Sequence, residues 1–138
     1  MNHNDRRSRL REAAFLILFR ADFNGADNMR EQVEDFFENE DIFTAAEKDA
    51  VSDKVLAICG MIPEIDSALE EKSVGWKTKR MTKVDLTVLR LAYYEIRFDE
   101  TVPDAVAINE AVELAKSYGT ESSGSFVNGI LAKVANEN

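Results

Sequence analysis

A chain of 138 residues, 45% hydrophobic and 31% charged with two prolines, is long enough to bury a core without staples and has the balance of one soluble globular domain. No apolar run is long enough to cross a bilayer, no small-residue cleavage site follows AAFLILF as in a secretory leader, and a single cysteine, Cys59, excludes an internal disulfide, so a cytoplasmic location is expected. The net charge of −9 argues against a surface that coats nucleic acid, because nonspecific phosphate binding draws on positive surface.

Met1–Asp5 is expected to be disordered. Ser8 is a cap-type residue that opens a first helix, where Ala13, Phe15, Leu16, Leu18, Phe19 and Phe23 form a wide apolar face. Arg6, Arg7, Arg9 and Arg11 crowd its entrance, faced only by Asp5 and Glu12. Cations are unfavourable at a helix N-terminus, so something should offset them. A solvated helix start and contact with an anionic ligand such as RNA phosphate are the two readings. The acids that follow, from Asp22 through Asp41, make the rest an acidic body that would repel RNA everywhere except at this end.

Asn24 and Gly25 break the first helix, and Asp27 is placed to cap a second, with Met29, Val33, Phe36 and Phe37 in one stripe. Thr44 and Glu47 have capping-box spacing and open a third, through Val51, Val55, Ile58 and Cys59, which is expected to be buried. Pro63 either kinks this helix or begins another, and a kink is the expectation. Glu71–Lys83, with Gly75 and the only tryptophan, Trp76, reads as the hinge between an N-terminal half (about 8–72) and a C-terminal half (about 80–135). Thr82 caps a helix running to Phe98 that is apolar nearly all round, with Asp85, Arg90 and Glu95 as exceptions. Pro103 suits a first helical turn and Gly119 a left-handed position past a last one, bounding a helix with Ala107, Ile108, Ala111, Leu114, Ala115 and Tyr118 on one side. Phe126, Val127, Ile130, Leu131 and Val134 repeat the pattern on a last helix, completing a helical hairpin. The fold expected is all-α: about seven helices in a compact bundle of two subdomains, without strands.

No constellation for catalysis is present. The sequence has no CxxC, HExxH, phosphate-cradling glycine loop or ExxH pair, its one histidine is His3, and its carboxylates follow solvated helix faces. A binding module without cofactor or metal is the better class. The turn Thr120–Ser125 is either a helix cap or a phosphate acceptor, and Phe126 is either core or a stacking surface for an unpaired base.

AINEAVELAKSYGTESSGSFVNGIL, from Ala107 to Leu131, resembles the C-terminal signature of the NusB family, bacterial transcription antitermination factors that bind boxA RNA together with the ribosomal protein NusE. VDLTVLRLAYYEI, from Val84 to Ile96, resembles the same family in the right order and distance, and the arginine-rich start fits as well. Between Asn24 and Lys72 only helical pattern and charge are shared. The resemblance implies a NusB-like RNA-binding domain over 1–138. It implies RNA contacts at Arg6, Arg7, Arg9, Arg11, Ser122, Ser123, Ser125 and Phe126, although this chain has Ser122 where other members have an acid. It also implies a NusE contact at Asp85, with Phe19 as an apolar neighbour, and an indirect link to RNA polymerase and other Nus factors. Four arginines on four phosphates of a single strand would give a log–log salt slope of about −3. The alternatives are a helical protein–protein adaptor without RNA, and a stand-alone relative of the N-terminal domain of ribosomal RNA cytosine methyltransferases. The absence of a cofactor-binding domain before Asn138 counts against the second.

Overall fold

The computed structural model describes residues 3–24 and 28–136, with side chains for 6–20 and 28–136. Seven α-helices follow one another, and no strand occurs among the described residues: α1 (His3–Asn24), α2 (Met29–Phe37), α3 (Ala45–Cys59), α4 (Ile62–Lys72), α5 (Lys83–Phe98), α6 (Asp104–Tyr118) and α7 (Ser123–Ala135), with a 3₁₀ turn at Thr78–Arg80 before α5. Two compact units divide the chain, Met1–Gly60 and Met61–Asn138. The division falls after Gly60, not in the Glu71–Lys83 stretch expected to be the hinge.

In the first unit α1 packs on α2 and α3, and α2 on α3. Ala13, Ala14, Phe15, Ile17 and Leu18 are the buried face of α1, and Leu16 and Phe19 lie at its half-buried edge. The side chain of Phe23 and the Asp27 cap lie outside the described residues. Helix α1 begins at His3, ahead of Ser8, so Ser8 is an interior residue and His3–Asp5 is helical. Met29, Val33 and Phe37 face inward from α2, and Val51, Val55 and Ile58 from α3. A complete capping box starts α3: Thr44 Oγ accepts the Glu47 amide at 3.1 Å and Glu47 Oε1 accepts the Thr44 amide at 2.9 Å. Cys59 is half-buried, short of the burial expected.

In the second unit α5 packs against α4, α6 and α7. A helix with neighbours on several sides must be apolar on most of its circumference, and Leu86, Val88, Leu89, Leu91, Ala92 and Ile96 are all buried. Thr82 caps it as expected, accepting the Asp85 amide at 3.1 Å. Arg90, itself buried, grips Asp66 of α4 with two bonds, Nε to Oδ1 at 2.8 Å and Nη2 to Oδ2 at 2.7 Å. Pro63 sits in the first turn of α4 and begins a new helix, correcting the expected kink: α3 has already ended at Cys59, and a missing amide is harmless at a helix start. Pro103 is the cap residue of α6, one position before the helix. Gly119 is not left-handed, its φ being −103°. It is needed for space, because a Cβ there would lie 2.4 Å from Ser123 Oγ and 2.7 Å from the Ala115 carbonyl oxygen. Tyr118, placed on the apolar side by periodicity, is 40% exposed at the end of α6.

Candidate nucleic-acid interface

Each unit carries its own set of candidate side chains. On α1, Arg7 and Arg9 are exposed, and no ion pair among the described residues involves either. Arg6 has a different position. Its Nε donates to Glu47 Oε2 at 2.5 Å, its Nη2 donates to Glu47 Oε1, and the same Nη2 reaches the Ile42 carbonyl at 3.1 Å. Hydrogen bonding to Arg6, with the Thr44 amide next, holds the Glu47 carboxyl below its ordinary range, and the same pair raises the Arg6 guanidinium above its own. Arg11 is half-buried and engaged within the chain. The expected row of four free arginines therefore reduces to Arg7 and Arg9, and part of the anion sought for the helix start is the chain's own Glu47.

At the start of α7, Ser122 and Ser125 are exposed and Phe126 is half-buried. Ser123 is 0% exposed; its hydroxyl accepts the Thr120 amide at 3.0 Å, which closes the turn between α6 and α7. That burial removes Ser123 from the surface residues implied for RNA. Phe126 is neither wholly core nor free, since its ring meets Trp76 in an edge arrangement with centroids 5.7 Å apart and planes at 72°.

Asp85 is 8% exposed. Its backbone is tied into the Thr82 cap, and Oδ1 is buried with no hydrogen-bond partner, a costly state for a carboxylate oxygen. Phe19, in the other unit, is half-buried against Phe15, with ring centroids 6.0 Å apart.

Sequence reasoning misses the surface around Trp76. From Lys72 to Lys83 the chain carries five cations, Lys72, Lys77, Lys79, Arg80 and Lys83, and no acid. That cluster around the only tryptophan is the signal that could have found it, masked by the hinge-like lack of helical periodicity. Trp76 is 50% exposed, and Lys77, Lys79 and Arg80 are exposed beside it in sequence.

Residues 8–136 match the NusB family. The chain is 48% identical over 129 residues to the transcription antitermination protein NusB of Agathobacter rectalis, covering 94% of this chain and 98% of that one. Among solved structures it is similar to NusB of T. maritima, at a TM-score of 0.88 and 36% identity over 96% of this chain and 92% of that one. It is also similar to a chain in the crystal structure of antitermination factors NusB and NusE in complex with dsRNA, at a TM-score of 0.85 and 29% identity over 96% of this chain and 97% of that one.

Proposed function

The chain belongs to the NusB family of transcription antitermination proteins, and from that premise we propose that it binds boxA-like RNA together with a NusE-type ribosomal protein, acting on elongating RNA polymerase with other Nus factors, notably in ribosomal RNA transcription. It works in the cytoplasm as a binding protein and not as an enzyme. No helix among the described residues is long and apolar enough to cross a membrane.

The observation that carries RNA binding is the pair of exposed arginines, Arg7 and Arg9, on a chain whose net charge is otherwise strongly negative. Phosphate contacts position a strand and base contacts specify it, so Arg7 and Arg9 supply the first, while Ser122, Ser125 and Phe126 supply the second. Asp85 and Phe19 are retained as NusE contacts on the strength of the family match. The Agathobacter relative is matched over nearly its whole length, which leaves the methyltransferase-domain alternative without support.

The test is a salt titration of a boxA-like single strand, with and without NusE. Each phosphate neutralised contributes about −0.7 to the log–log slope, so replacing Arg7 and Arg9 with alanine should flatten it by about 1.4. The melting temperature should hardly move, because exposed side chains contribute little to stability. A slope that is the same in the double variant removes the arginines from the phosphates, and no RNA binding in either condition returns the protein-only adaptor reading.

A further inference from the structure

We propose that the loop between α4 and α5 is an additional contact for single-stranded RNA, with Trp76 stacking on an unpaired base and Lys77, Lys79 and Arg80 neutralising the adjoining phosphates. The inference rests on the RNA-binding reading above and adds to it a surface built from different residues.

Three observations converge on this loop. The first is charge: five of the chain's 17 cations fall between Lys72 and Lys83, with no acid among them, on a protein of net charge −9. So local a concentration of positive charge fits a polyanion that meets the chain at defined places. The second is the aromatic group. Trp76 keeps half its surface in solvent while its ring meets Phe126 at 5.7 Å, which places two rings side by side at the start of α7. Single-strand sites combine these two ingredients, cations that follow the backbone and aromatic side chains on which bases of any sequence can stack.

The third observation is rigidity. Val74 and Gly75 both take positive φ, 30° and 85°, which turns the chain sharply after α4. Ser73 Oγ donates to the Trp76 carbonyl at 2.6 Å, and Glu70 Oε1 accepts both the Thr78 amide at 2.9 Å and the Thr78 hydroxyl at 3.1 Å. Lys133 of α7 donates to the Lys72 carbonyl at 3.3 Å. The Glu70 carboxyl, held by the Thr78 amide first and by the nearby Lys77 and Lys79 charges last, stays below its ordinary range. Backbone on both sides of Trp76 is thus fixed before any ligand arrives, so little ordering is lost on binding.

The chain's only tryptophan is its own reporter. Full-length protein is titrated with an unstructured oligoribonucleotide while two signals are followed, anisotropy of a dye on the RNA and emission of Trp76. Binding should quench the tryptophan. Trp76→Ala should weaken affinity by about five- to 150-fold, the span of stacking on one base, while Trp76→Phe keeps most of it. Lys79→Ala with Arg80→Ala should flatten the salt slope by about 1.4, additively with the change at Arg7 and Arg9. If anisotropy reports binding but Trp76 emission stays constant and Trp76→Ala binds like wild type, the loop is not an RNA site, and the RNA-binding reading itself survives. If RNA fails to bind the unaltered protein both alone and with NusE, both fall together. An emission change that comes only with NusE and never with RNA would assign the loop to a protein partner and overturn the proposal.

Discussion

Glu47 serves two neighbours at once. It closes the capping box of α3 with Thr44 and receives the Arg6 guanidinium from α1, so a helix start and a helix–helix tie depend on one carboxylate. Because its folded pKa is depressed, the stability it brings is present above the ordinary carboxylate value of about 4.3 and is lost as pH falls from there through the lowered value. Glu47→Gln keeps the capping geometry and removes the charge. The melting-temperature gap between wild type and this variant should be constant from pH 7 to about 5 and close on further acidification. A gap as wide at pH 3 as at pH 7 would show that the charge plays no part. The arginines are legible in the sequence as a basic entrance, but their inequality is not. Arg6 finds its acceptor 41 residues away, and no local spacing encodes that. Asp85 is a parallel case: its acidic character is plain in the sequence, while its burial, which depends on tertiary packing, is not.

Helix boundaries divide into those that local chemistry fixes and those it does not. Thr44 and Thr82 are readable as caps because each hydroxyl and the amide it accepts lie within three residues of each other. Pro63 is not, since a kink and a first turn tolerate the same residue, and only the end of α3 at Cys59 decides between them. Ser8 is ambiguous for a similar reason, a serine being as acceptable inside an arginine-rich helix as before it. Two glycines show how spacing alone misleads. Gly119→Ala should cost about 1–3 kcal/mol through the clash with Ser123 and the Ala115 carbonyl. Gly129, inside α7, is the opposite case: an added Cβ would meet nothing within 4 Å, and conversion to alanine should gain about 0.5–1 kcal/mol. Denaturant midpoints moving in opposite directions at equal m-values would establish the pair, and a destabilised Gly129→Ala would contradict it.

For the molecule as a whole, fold class and acidic balance can be read directly, since apolar periodicity and net charge are summed properties that survive errors at single positions. The surface at Trp76 cannot, because a stretch without helical periodicity looks like a linker until its backbone bonds are seen. The division after Gly60 is hidden because α4, continuous in pattern with α3, packs instead with α5 and α7. Within each unit the packed helices are near neighbours in sequence, and such topologies have low contact order. Refolding followed by Trp76 emission should therefore complete its main phase within milliseconds, and a main phase lasting seconds would contradict this. Synthesis is far slower. The residues after Gly60 take several seconds or more to emerge at about 5–20 residues per second, so α1, α2 and α3 can pack on one another before the second unit is complete. The basic entrance is thus assembled on the nascent chain while the tryptophan loop is still being made.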